Sequence, residues 1–252
     1  MTKIIAIVNQ KGGVGKTTTA INLASCLAAA EQKTLLIDMD PQANTTSGIG
    51  FEKNKIEASI YDVLIGSQKI SQVIKPTSLD YLNIIPSAIS LVGAEVELVT
   101  MVARENRLKE AIVEIIDQYD YILIDCPPSL GLLTLNALTA ARSVLVPIQC
   151  EYYALEGLGQ LMNTIELVKK RLNPELELEG VLLTMHDGRL NLSKQVTDEV
   201  RNHFTNKVYQ TVISRNVRLS EAPSFGKPII QYDILSTGAE NYLSLTKEVM
   251  AQ

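Results

Sequence analysis

The sequence predicts an α/β fold: a single domain over residues 1–252, with a mostly parallel twisted sheet covered by helices on both faces. Three observations predict it. Short apolar, β-branched runs alternate with longer stretches of helical period. Several runs, among them Ile4-Ile5-Ala6-Ile7-Val8 and Tyr121-Ile122-Leu123-Ile124, are apolar almost throughout, as strands are when both faces are covered. The glycine-rich and acidic clusters follow directly on such runs, where parallel sheets hold their ligands.

The first strand, 3–8, runs into Asn9-Gln10-Lys11-Gly12-Gly13-Val14-Gly15-Lys16-Thr17-Thr18-Thr19, and a helix over 17–30 leaves it. Strand, glycine loop and helix together form an anion cradle. Glycines let backbone N–H groups turn inward, and the helix N-terminus adds roughly half a positive charge. Lys16 can reach the β- and γ-phosphates of a nucleotide, and the Thr17 hydroxyl can ligate Mg²⁺. Gln10 stands where the usual G-x-x-x-x-G-K-[ST] spacing has its first glycine, and a second lysine, Lys11, follows.

The second strand, 33–38, ends in Asp38-Met39-Asp40-Pro41-Gln42. Alternation by two places Asp38 and Asp40 on the same side, toward the loop, although Asp-Pro-Gln is also good turn chemistry. A carboxylate there can orient or deprotonate a water in line with a γ-phosphate. A helix over 59–65, a strand over 81–85 and helices over 91–101 and 105–117 lead to the strand 120–125. Asp125 closes that strand ahead of Cys126-Pro127-Pro128-Ser129, whose prolines end it and stiffen the loop. An acid in this place suits a water of the Mg²⁺ shell; buried without partners it would cost several kcal/mol. The remaining elements are helices at 130–140, 155–172, 191–204 and 238–250, and strands at 143–148, 179–184 and 208–213. Helix 155–172 has apolar spacing that suits a core face or a dimer face.

The chain is 46% apolar and 20% charged, with a net charge of −5 that argues mildly against nucleic acid as a partner. The charge is uneven, however. Residues 180–230 carry seven Lys/Arg against four Asp/Glu, a local +3 beside −8 for the rest. Cys26, Cys126 and Cys150 are widely spaced in apolar contexts and suit reduced core thiols better than a disulfide frame or metal site. His186 and His203 have no partner pattern and are expected to be structural. No apolar run reaches the roughly 18–20 residues that span a bilayer. The first strand begins at residue 3, so neither a leader nor an N-terminal DNA-reading domain is expected.

Lys11-Gly12-Gly13-Val14-Gly15-Lys16-Thr17-Thr18 resembles the deviant Walker A box of the ParA/MinD/nitrogenase-iron-protein class of P-loop ATPases. Asp38-Met39-Asp40-Pro41-Gln42-Ala43-Asn44, the Met185-His186-Asp187-Gly188-Arg189 segment and Asn216-Val217-Arg218-Leu219-Ser220-Glu221-Ala222-Pro223-Ser224-Phe225-Gly226 narrow the resemblance to Soj/ParA-type partitioning ATPases, over essentially the whole chain. The resemblance implies ATP and Mg²⁺ as cofactors, held by the residues of the box from Lys11 to Thr18. It assigns Lys11 to the phosphates of a partner subunit, Asp40 to catalysis beside Lys16, and Thr17, Asp38 and Asp125 to the Mg²⁺ environment. Met185, Arg215 and Asn216 are then nucleotide contacts, the last two at the adenine base, and Arg189 and Arg218 are DNA contacts. Ser214 departs from the proline usual in the family. The implied activity is a slow ATPase, without an evident arginine finger. It dimerises on ATP, binds double-stranded DNA non-specifically and is stimulated by a ParB-type partner. The expected location is the cytoplasm, on the nucleoid, with no membrane association.

Two other classes are weighed. A MinD-like membrane-recruited ATPase calls for a basic amphipathic C-terminal helix, whereas Leu243 to Gln252 holds one lysine and no aromatic anchor. A redox protein or amide synthetase calls for paired cysteines or a polar substrate pocket, and the sequence shows neither.

Overall fold

Short strands that are apolar on both faces supply the frame. The structure is a computed structural model describing residues 1–151 and 158–252. Seven strands form one sheet: β1 (Lys3–Ile7), β2 (Thr34–Asp38), β3 (Lys75–Pro76), β4 (Leu82–Ile85), β5 (Tyr121–Asp125), β6 (Ser143–Gln149) and β7 (Glu177–Thr184). Their order is β3-β4-β2-β5-β1-β6-β7, parallel throughout except for the short edge strand β3. The helices are α1 (Lys16–Ala29), α2 (Asn44–Gly48), α3 (Ile60–Ile65), α4 (Ile70–Val73), α5 (Leu91–Glu97), α6 (Arg107–Ile112), α7 (Leu132–Ala140), α8 (Leu158–Arg171), α9 (Asn191–Phe204), α10 (Val217–Glu221), α11 (Ile229–Tyr232) and α12 (Thr237–Ala251).

Alternate residues of each strand enter opposite cores. Ile4, Ala6, Leu35, Ile37, Ile122 and Ile124 face α3, α5, α6, α7 and α8; Ile5, Ile7, Leu36 and Leu123 face α1 and α12. A one-residue slip would exchange the two sets, so register is strongly specified.

Most predicted elements are present, with three corrections. No strand forms over 208–213; only isolated bridges, Val181 with Val208 and His186 with Ser214, occur there. Tyr209 and Ile213 donate their N–H groups to Val181 O and Leu183 O of β7 at 3.0 and 2.8 Å, but between them Gln210 and Thr211 donate to the Glu248 carboxylate at 2.8 and 2.7 Å, which interrupts the ladder. The helices expected over 91–101 and 105–117 end early, each followed by a separate tight turn (Leu98–Thr100 and Ile116–Gln118). In α8, Leu158, Leu161, Ile165 and Val168 are buried, so this helix faces the core; residues 155–157 of the predicted helix lie outside the described residues. The short elements α2, α4, α10 and α11 carry no periodic signal long enough to read.

Candidate nucleotide site

Strands β2, β5 and β1 are neighbours, and their register levels the three ends that carry the motifs. Ile7 pairs with Asp125, and Asp125 pairs with Asp38. Parallel neighbours lie about 4.8 Å apart, so the two acids stand side by side next to the loop that leaves β1.

That loop is held from beneath. Asn9 donates its amide to Pro147 O at 2.8 Å and accepts the Lys11 N–H at 3.0 Å. Thr184, at the end of β7, donates its hydroxyl to Val14 O at 2.8 Å. Gly13 and Gly15 have φ of 76° and 89°, a region that favours glycine, and Gly15 opens α1. A Cβ on Gly12 or Gly13 would meet nothing within 4 Å, so the space above the loop is open for a phosphate chain. Lys16 is buried, and its ammonium donates to Lys11 O at 3.0 Å. Burial pulls its pKa down, against Asp125 and Asp40, which hold it up. Thr18 lies at the mouth of the adjoining cleft. Among the described residues no hydrogen bond or ion pair holds the Lys11 ammonium.

The acids differ in what they leave open. Asp125 is fully buried, and its Oδ2 accepts both the Thr17 hydroxyl at 2.8 Å and the Thr45 hydroxyl at 2.7 Å, while Oδ1 has no partner. Such a buried, orphaned carboxylate oxygen beside the Thr17 hydroxyl fits a hydrated Mg²⁺ ion. Asp38, also fully buried, accepts Thr46 N–H (2.8 Å) and the Thr46 hydroxyl (2.7 Å) on Oδ2, and Asp40 N–H (3.1 Å) on Oδ1. Asp40 accepts the Gln42 N–H at 2.9 Å, so the Asp-Pro-Gln turn forms with its acid still in the field of Lys16. Asp38 therefore braces the turn that presents Asp40.

Burial, then the neighbouring carboxylate of Asp125, raises the Asp38 pKa. Burial likewise raises Asp125; the Thr45 and Thr17 hydroxyls and Lys16 counter it, and Asp40 adds to it. Each acid thus binds a proton more readily folded than unfolded. The folded state takes up protons as pH falls, so their contribution to stability is lost as pH rises from about 4 toward neutrality. Nucleotide-free Asp38→Asn should therefore melt above the wild type at about pH 8, by roughly 1–3 kcal/mol. That gap should narrow as pH falls and close only below about pH 4, the unfolded value. Equal melting above neutrality and below about pH 4 would refute the cost of holding this buried charge beside Asp125.

Beside the loop lies a cleft of about 300 Å³ walled by Gly15, Thr18, Met185, Arg215, Asn216 and Tyr242, a volume that suits a nucleoside. Met185 is brought to Arg215 and Asn216, far along the chain, because His186 donates its N–H to Ile213 O and accepts the Arg215 N–H, both at 3.0 Å, across the β7 end. Asn216 Oδ1 caps α10 by accepting Arg218 N–H at 2.8 Å. Ser214 donates its N–H to Asn241 at 3.0 Å, a bond no proline could make.

Arg189 and Arg218 both lie outside the cleft. Arg189 is exposed on the loop after β7 and grips Asp187 through two hydrogen bonds (2.9 and 2.7 Å), which holds the Asp187 carboxyl well below the usual range. Arg218 is half-exposed on α10, 2.9 Å from Glu221 and 3.4 Å from Asp233. Cys26, Cys126 and Cys150 are buried and unbridged, and His203 stacks edge-on with Phe204. Asn9, Thr45, Thr46 and Thr184 escape a reading from sequence because their roles depend on which strand end each one meets.

Fold and site define a P-loop nucleotide hydrolase. A family model described as AAA domain matches residues 2–178. The sporulation initiation inhibitor protein Soj of Bacillus subtilis strain 168 is 61% identical over 251 residues, covering 100% of this chain and 99% of that protein. The chromosome partitioning protein ParA of Myxococcus xanthus DK1622 is 59% identical over 248 residues, covering 98% and 88%. A solved structure of cobyrinic acid a,c-diamide synthase from Mycobacterium smegmatis, with bound ADP and magnesium, superposes with a TM-score of 0.88 at 36% identity, covering 99% and 94%. The chain belongs to the Soj/ParA family of P-loop ATPases, and its cofactors are ATP and Mg²⁺. Bound Mg²⁺ would neutralise phosphate charge, with Thr17 and Asp125 placed to hold it.

Proposed function

We propose that the chain is the ATP-driven switch of a chromosome or plasmid partitioning system. ATP closes two copies face to face, with Lys11 of each copy reaching the other's phosphates. The closed dimer binds double-stranded DNA through Arg189 and Arg218, without base contacts. A ParB-type partner speeds hydrolysis and so releases the DNA, and the protein works in the cytoplasm on the nucleoid.

One observation carries this reading. The segment from Ser214 to Pro223 walls the nucleotide cleft through Arg215, Asn216, Leu219 and Pro223, and the same segment carries Arg218 on its outer side. The wall of the cleft and the arginine assigned to DNA therefore lie on one continuous segment, which supports a coupling between them. The names of the relatives support the segregation role, and 61% and 59% identity to Soj and ParA outweighs 36% to the synthase.

A membrane-recruited role finds no support in α12. Its Ala239, Tyr242, Leu245 and Val249 are buried against the body of the protein, so its apolar face is already used. No helix among the described residues is long and apolar enough to cross a membrane.

DNA retention measured with ADP, ATP and a non-hydrolysable analogue tests the switch. Retention should appear only with the triphosphates, and log K should fall with log[salt] at a slope of roughly −4 to −5. Arg218→Glu should remove retention while nucleotide affinity stays within about twofold, since the Arg218 side chain is exposed and does not line the cleft. Equal retention in all nucleotide states would overturn the proposal.

A further inference from the structure

We propose that Thr45 and Thr46 are positioning residues for ATP hydrolysis: successive hydroxyls at the start of α2 that each fix one of the two buried aspartates. Both threonines are completely buried in a helix of five residues that begins after Ala43, itself held at φ 52°. Threonine is a poor choice for a short helix on propensity alone. Its hydroxyl, however, can leave the helix for a neighbouring carboxylate.

Thr45 acts on Asp125. Its hydroxyl donates to Oδ2 at 2.7 Å, alongside Thr17 at 2.8 Å. Two donors on one oxygen fix the carboxylate plane and leave Oδ1, buried and without a partner, as the oxygen available to the metal shell. Without Thr45 the group is held on one side only and can rotate about its Cβ–Cγ bond.

Thr46 acts on Asp38, and the direction of its bond is fixed. Its Oγ1 accepts the Ser87 N–H at 2.9 Å, so its own proton points to Asp38 Oδ2 at 2.7 Å, where the Thr46 N–H also arrives. The other oxygen of Asp38 receives the Asp40 N–H. Thr46 therefore holds the backbone of Asp40 through Asp38. Adjacent positions on a helix point about 100° apart. They can serve two different acids only because β2 and β5 are neighbours with Asp38 and Asp125 in register.

The two roles separate by experiment. The readouts are nucleotide affinity for ADP with Mg²⁺ and with EDTA, and kcat against KM for ATP. Thr45→Val should leave affinity in EDTA within about twofold but reduce the gain from Mg²⁺ and lower kcat, each by roughly 10–100-fold, as for lost outer-shell partners of a metal site. Thr46→Val should leave the Mg²⁺ gain and KM within about twofold and lower kcat at least tenfold, on the same range. Thr45→Ser and Thr46→Ser, which keep the hydroxyl, should recover most of each loss. If a valine variant fails to fold, the alanine variant at that position takes its place in the same assays. A wild-type Mg²⁺ gain and kcat in the variants lacking the hydroxyl would overturn the proposal, as would serine variants no better than valine, which would mark a packing role. The proposal rests on hydrolysis at this site. Should the wild type bind Mg-ATP without cleaving it, the ATPase reading fails separately, and the Mg²⁺ gain in ADP affinity still tests Thr45.

Discussion

Asp40→Ala should abolish ATP hydrolysis, by roughly 10²–10⁴-fold if Asp40 acts as general base, and leave ATP-dependent DNA retention intact. The geometry separates the two properties. Asp40 contributes one hydrogen bond to its own turn, from Gln42 N–H, and a share of the field at Lys16. The phosphate cradle is made by other groups: the glycine loop, Lys16 and the N-terminus of α1. Asp125, which fits the metal shell, and Asp38, which braces the turn, keep their threonine donors when Asp40 loses its carboxylate. On the proposed assignment, loss of Asp40 removes the acid that would orient the attacking water while the phosphate cradle remains in place. The variant should accumulate with ATP on DNA, read as phosphate release near background beside wild-type or higher co-sedimentation with DNA. Persistent hydrolysis would exclude Asp40 as the hydrolytic acid; loss of retention would show that it shapes the closed state as well.

Gly226→Ala should cost roughly 2–4 kcal/mol, on the scale of severe backbone and packing substitutions. Here the loss comes from main chain meeting main chain. Gly226 has φ 62°, and a Cβ there would lie 2.8 Å from Gly50 Cα and 3.3 Å from Gly50 N. Gly50 is itself at φ 100°, and a Cβ on it would lie 3.0 Å from Gly226 O. Neither side has a flexible side chain that can swing aside, so the two backbones must separate. The contact joins the turn after α2, whose Thr45 and Thr46 hold Asp125 and Asp38, to the turn after α10, which carries Arg218. Thermal melting without nucleotide should fall by about 5–15 °C for a chain of this length. Gly12→Ala, where a Cβ would meet nothing within 4 Å, is the control and should melt within about 2 °C of wild type, as substitutions away from packed features do. A melting temperature for Gly226→Ala equal to that of the control would remove the contact from the list of forces that hold α2.

The glycine loop, Asp40 and Asp125 were legible in the sequence because each is local: a residue type at a fixed offset from the end of an apolar run. The joint placement of Met185 and Arg215 was not local. It depends on the β7 end pairing with a segment whose neighbouring N–H groups go to Glu248, which also explains why the strand expected over 208–213 does not form. Periodicity registers the side-chain pattern of that segment and is blind to a carboxylate arriving from α12.

By itself the sequence determined the alternation of strands and helices, the phosphate loop and the acids at the strand ends, since hydrophobic period and glycine freedom are short-range properties. Only the tertiary structure decided that β5 inserts between β1 and β2, so that Asp125 and Asp38 stand side by side and the Asp125 carboxylate adds to burial in raising the proton affinity of Asp38. It also decided that Thr45 and Thr46 answer one acid each. Strand order is set by how both faces of the sheet are buried at once, a condition on the whole chain that no single window of residues contains.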